Sequence, residues 1–177
     1  MKNLIHTIWV ESAGILFNLT YTLLYFFESS WCWLFAILGA CTYLYLCFTK
    51  QLFGESLLQI CYVGGALLAW LAPNFTFDIN TRTWPFHLLI LFITLILWFI
   101  SGFVFKKQNG RFPFLDAFIL TFSLAGTFYQ LTYDPLNWWY FLVTNLLSIY
   151  TYWQSGLKTS IILYLVYAAI SLAGILH

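Results

Sequence analysis

Seven apolar runs of about twenty residues each, set apart by short polar breaks, constrain this chain more than any other feature, because a run of that length crosses a bilayer as a helix. They extend approximately over Leu4 to Phe26, Trp31 to Phe48, Phe53 to Leu71, Pro85 to Phe105, Phe114 to Leu131, Leu136 to Trp153 and Lys158 to Leu176. Hydrocarbon offers no water to a bare peptide group, so each run must satisfy its N–H and C=O groups internally. The breaks carry most of the charge and the turn-forming residues: Glu28-Ser29-Ser30, Thr49-Lys50-Gln51, Pro73 to Thr83, Lys106 to Arg111, Tyr133-Asp134-Pro135 and Gln154-Ser155-Gly156. Trp and Tyr gather near the run ends, as interfacial belts require. Only 7% of the 177 residues are charged and 62% are apolar, too few charges to solvate a globular surface. A net charge of +1, with no basic block longer than Lys106-Lys107, argues against nucleic acid as a partner. The expected fold class is an all-α integral membrane protein with seven transmembrane helices, residues 1–177 forming one membrane domain whose partner is the lipid bilayer.

The chain also resembles itself. Adding 105 to the residue numbers of the first three runs reads off the last three without a gap, and Glu11 falls on Asp116, Thr22 on Thr127, Trp33 on Trp138, Tyr45 on Tyr150 and Tyr62 on Tyr167. Apolar matches come cheaply in this composition, but acidic, Trp and Tyr matches do not. Residues 4–71 and 114–176 are therefore expected to be two three-helix repeats, with a linker helix over 85–105. Three spans plus one linker return the chain to its starting side, so the repeats run parallel, a transporter pattern with its site near the midplane between the halves.

Polar residues inside the runs fall at helical spacing. Glu11, Gly14, Asn18, Tyr21 and Tyr25 share one face of the first span, and Asp116, Ser123, Gly126 and Gln130 share one of the fifth. The third presents Gln59, Tyr62 and Trp70; the sixth Trp138, Phe141, Asn145, Ser148 and Tyr152; the seventh Tyr164, Tyr167, Ser171 and Gly174. Such faces in lipid either line a wet interior or join helices to one another. Glu11, Asn18, Asp116 and Ser123 are expected as polar lining, and a carboxylate so near a span end also suits a hydrogen bond at a helix start. From Leu88 to Phe99 the fourth span offers only Thr94 as a polar side chain, which fits a helix facing lipid. Cys32, Cys41, Cys47 and Cys61 lie in apolar stretches without C-x-x-C spacing and read as small hydrophobes. The first run lacks a small-residue cleavage site and holds Glu11, so it is expected to remain as a helix rather than leave as a signal peptide.

The carboxylates are dispersed rather than clustered for Mg²⁺, and neither His-Glu-x-x-His nor a phosphate-cradling loop occurs. No metal, cofactor or catalytic residue is expected; an organic solute moving passively is. With 23% of the residues aromatic, flat cations would be attracted by ring faces at about 0.5–2 kcal/mol per desolvated contact, and Asn and Gln amides would orient ribose hydroxyls or a carboxamide.

Trp9, Glu11 and Gly14 as W-x-E-x-x-G, the run from Leu52 to Gln59 with Trp70 beyond it, and then Phe112-Pro113-Phe114, Asp116, Ser123, Asn137-Trp138, Asn145, Ser148, Gly156, Tyr164 and Gly174 resemble, in order, the Pnu vitamin transporters, nicotinamide riboside members above all. The resemblance implies a seven-helix fold similar to the SWEET sugar transporters and facilitated diffusion of a B-vitamin across the cytoplasmic, bacterial inner membrane. It implies trapping by a cytoplasmic vitamin kinase, and it leaves room for a homo-oligomer. The substrate-binding set is expected to be Gln59, Tyr62, Trp70, Trp138, Phe141, Asn145, Ser148 and Tyr164. The family's W-x-x-x-N falls on Phe141 and Asn145, Ala66 stands where riboside members often have Asn, and their Tyr-Gly-Trp becomes Leu68-Ala69-Trp70. Nicotinamide riboside is the first substrate reading. Thiamine or riboflavin in the same family, and a vitamin-binding subunit needing an energy-coupling partner, are the alternatives. The excess of Lys and Arg on the amino-terminal side puts the amino terminus in the cytoplasm, whereas the resemblance implies a cytoplasmic carboxyl terminus.

Overall fold

The computed structural model describes residues 2–72, 83–132 and 134–176. Within them lie seven helices: α1 (Lys2–Phe26), α2 (Cys32–Thr49), α3 (Phe53–Leu71), α4 (Trp84–Lys107), α5 (Pro113–Leu131), α6 (Leu136–Ser155) and α7 (Ile161–Leu176). Helices α2 to α5 are long and apolar enough to cross a membrane; α7 is equally apolar but shorter, and the polar faces of α1 and α6 dilute their hydropathy.

Local chemistry sets the ends. Prolines in the first turns of α4 and α5 occupy positions whose N–H has no helical partner in any case. Helix α6 stops at Gly156, whose φ of 78° lets the N–H of Leu157 return to the carbonyl of Tyr152 at 3.0 Å. One repeat earlier, Gln51 takes the same left-handed conformation at φ 60°, and Leu52 returns to Cys47 at 3.0 Å. The ends of α1 and α5 match in the same way, Ser29 bonding to Leu24 and Asp134 to Tyr129. The 105-residue offset thus recurs in the backbone. The seventh helix starts at Ile161, three residues later than the apolar pattern suggests, because Lys158 to Ser160 form a turn.

Helix α2 packs between α1 and α3, and α6 between α5 and α7, while α3 against α5 joins the two sets. Helix α4 stands outside, packed mainly on α5, where the Trp98 indole donates to the Phe114 carbonyl at 2.7 Å and His87 Nδ1 lies 3.1 Å from the Tyr129 hydroxyl. Its Thr94 is buried and bonds back to the Ile90 carbonyl, so most of the helix shows only apolar side chains outward.

Buried apolar residues concentrate at one end of the bundle. Tyr43, Leu46, Cys47, Leu52, Tyr152, Leu157, Leu163 and Tyr164 form one cluster there, drawn from both halves. This is the basic end of the bundle: its loops carry Lys50, Arg111 and Lys158, and the last turn of α4 carries Lys106 and Lys107. Gly65, deeper in α3, has nothing within 4 Å of where a Cβ would stand. Gly65→Ala should therefore raise stability by about 0.5–1 kcal/mol through lost backbone freedom in the unfolded chain. Thermal unfolding in detergent followed by Trp fluorescence tests this, and a lowered midpoint would show that something packs there.

Candidate functional site between the two halves

The first N–H groups of a helix have no partner within it, and the residue preceding α3, Leu52, supplies no side-chain cap. The cap comes from the other half. Asp116, in the first turn of α5, accepts the N–H of Gly54 at 2.6 Å and that of Glu55 at 2.9 Å on its two carboxylate oxygens. One repeat away the arrangement returns with the halves exchanged: Glu11 of α1 accepts the Ser160 N–H at 3.0 Å and the Ser160 hydroxyl at 3.2 Å, just before α7. Both carboxylates are 1% exposed.

Between these caps the halves share a further polar contact, the Ser148 hydroxyl donating to Glu55 Oε1 at 2.8 Å, and within the second half Tyr164 donates to the Tyr152 hydroxyl at 2.9 Å. Cys47 Sγ lies 3.0 Å from that same Tyr152 oxygen, and Tyr43 packs against the Tyr152 and Tyr164 rings. At the rim, Arg111 donates its main-chain N–H to the Gln51 carbonyl at 3.1 Å and its guanidinium to the Gln154 carbonyl at 2.6 Å, tying a loop of each half. The basic end is closed.

Farther in, the sequence-predicted residues spread along the depth of the bundle. Gln59 is buried one turn beyond Glu55, and Tyr62 and Asn145 are half-buried at mid-depth, about 15 Å from the end of α6 in the case of Asn145. The Asn145 amide nitrogen makes one long contact, 3.5 Å, to Ser171 Oγ. Phe141 packs on Gly126, Trp138 lies tight against Gly174, and Trp70 is 38% exposed toward the far end. Ser148 and Tyr164, expected as ligand contacts, are buried in the closed end, where Glu55 and Tyr152 engage them. Glu11 and Asp116 are helix caps rather than lining, because the start of a helix from the other half lies within reach of each. Asn18 accepts from Tyr167 at 3.4 Å and donates to the Gly14 carbonyl, linking α1 to α7. Ser123 is buried within α5.

Sequence reasoning left Cys47, Tyr152, Glu55 and Ser160 out of the site. Cys47 is not merely a small hydrophobe, since its thiol meets a tyrosine hydroxyl. The signal was present only in part: positions 47 and 152 are repeat equivalents, 105 residues apart, and they meet across the two halves. Among the described residues no group of His, Cys, Asp and Glu could hold a metal ion, and a cavity of about 160 Å³ between α4 and α5 is apolar and apart from the polar residues above.

Seven apolar helices, six of them in two sets tied crosswise at one end with polar residues between them, define an integral membrane protein. A family model described as nicotinamide mononucleotide transporter matches residues 8–177, and the chain belongs to that family, the Pnu family its motifs resemble. It is a transporter and not an enzyme. In structure it is similar to the vitamin B3 transporter PnuC, with a TM-score of 0.73 at 16% identity, over 95% of this chain and 79% of that one. Among curated proteins none matches it in sequence.

Proposed function

We propose that the chain carries out facilitated diffusion of nicotinamide riboside across a cytoplasmic membrane, residues 4–71 and 114–176 rocking as two halves about a site at mid-depth, with a cytoplasmic kinase trapping the product. The observation that carries the reading is the chemistry between the halves. Gln59 and Asn145 supply amides; Tyr62, Phe141, Trp138 and Trp70 supply ring faces on the same helices. An aromatic cation with ribose hydroxyls suits that set.

Charge separates the riboside from its nucleotide. A phosphate taken out of water needs a cationic partner, yet the basic side chains of the described residues gather at the basic end, and the ionisable side chain one helix turn from Gln59 is the buried acid Glu55. A pyridinium tolerates carboxyl neighbours, whereas a phosphate is repelled by them.

Titrating the purified protein in detergent with nicotinamide riboside, following its nine Trp residues, tests the proposal. Saturable quenching by the riboside, with nicotinamide mononucleotide at least about tenfold weaker, is expected. Thiamine and riboflavin serve as competitors, and saturation by either of them alone would replace the substrate.

A further inference from the structure

The exchanged carboxylates lie beside the residues that seal the basic end, and the seal joins the halves that transport must separate. Asp116 of the second half holds the start of α3, and Glu11 of the first holds the start of α7. Cys47, Tyr43, Tyr152 and Tyr164 are buried together in the apolar cluster of this same end, with half-buried Ile15 and Leu19 packed against it. A carboxylate on a helix start makes charge-assisted bonds that are strong while water is excluded and easily replaced once water enters. Such bonds favour one of two states without preventing the other.

We infer that Glu11 and Asp116 are a pair of crossed latches that set how long the basic end stays shut, acting as positioning residues and not as ligands for the solute. Opening that end swings α3 away from α5 and α7 away from α1, and each carboxylate then exchanges two N–H or O–H donors for water. Two latches related by the repeat release together, so the end opens as a unit. Glu55 lies on the same seam: its backbone N–H is held by Asp116 and its carboxyl by Ser148 of the other half, so one helix turn reports both contacts.

Cys47 supplies a built-in probe, since it is 0% exposed in the closed end. With Cys32, Cys41 and Cys61 replaced by Ser, a small methanethiosulfonate reagent applied to the protein in detergent should label Cys47 slowly. Glu11→Gln and Asp116→Asn should each accelerate labelling about tenfold or more, and the carboxylate-keeping variants Glu11→Asp and Asp116→Glu should stay within about threefold of the parent. Elution as a single monodisperse species shows that a variant is folded, and Glu11→Gln alone carries the test if the Asp116 variant is not. Unchanged labelling in the folded amide variants would overturn the inference. So would a Cys47 in the parent protein that resists the reagent for hours while the same protein exchanges labelled nicotinamide riboside in liposomes, because the end would then not open along this seam. The labelling needs no substrate, so a failure of riboside uptake would count against the proposed function and leave the latches standing.

Discussion

Asn145→Ala is expected to abolish saturable binding of nicotinamide riboside, weakening affinity at least about 100-fold, or about 2.8 kcal/mol at 1.4 kcal/mol per tenfold. Asn145 stands half-buried at mid-depth, and its one described hydrogen bond is a 3.5 Å contact to a Ser171 hydroxyl that already donates to the Tyr167 carbonyl at 2.9 Å. The amide is therefore held loosely enough to offer both its donor and its acceptor to a solute. Removing it leaves a ligand hydroxyl or carboxamide desolvated without a partner, the circumstance in which polar sites discriminate most strongly. The packing around α6 loses little, so the thermal midpoint should stay close to that of the parent. Trp fluorescence titration is the readout, and an unchanged Kd would remove Asn145 from the site.

The second large effect is structural. Gly54→Ala is expected to destabilise the protein by about 2–4 kcal/mol, combining overpacking with loss of a helix cap. A Cβ at this position would collide with the Asp116 carbonyl oxygen and stand 2.8 Å from its carbonyl carbon, and a backbone cannot rotate aside as a side chain can. The same displacement would pull the Gly54 N–H from its 2.6 Å bond to the Asp116 carboxylate. Unfolding in detergent should show a clearly lowered midpoint, in contrast to the rise expected for Gly65→Ala on the same helix. A midpoint unchanged by Gly54→Ala would mean that α3 and α5 do not approach so closely.

These two residues also mark what a sequence discloses about such a chain. Helix ends were legible because their causes are local: Pro113 can only begin α5, and the Gly156 turn can only close α6. The repeat was legible because a shared set of acidic, Trp and Tyr positions survives at a constant offset. The half-buried position of Asn145 was legible from its place on a polar helical face. The partners of Glu11 and Asp116 were not, although a hydrogen bond at a helix start was foreseen for them. Ser160 is 149 positions from Glu11, and nothing in the spacing along one helix says which neighbouring helix begins opposite it. Ser148 and Tyr164 share their faces with Asn145 and Tyr167, and periodicity distinguishes inward from outward but not the sealed end from the middle.

The exchange of caps makes each half an incomplete object. The carboxylate of the first half serves a helix in the second, and the reverse, so neither three-helix set can finish its own third helix. Cutting the chain between α3 and α4 and supplying both pieces would leave every cap in place, whereas either piece alone would carry one bare helix start and one stranded acid. The two repeats are thus bound by a mutual debt of hydrogen bonds rather than by the connecting peptide, and duplication followed by separate drift can alter either copy only as far as the other still meets it.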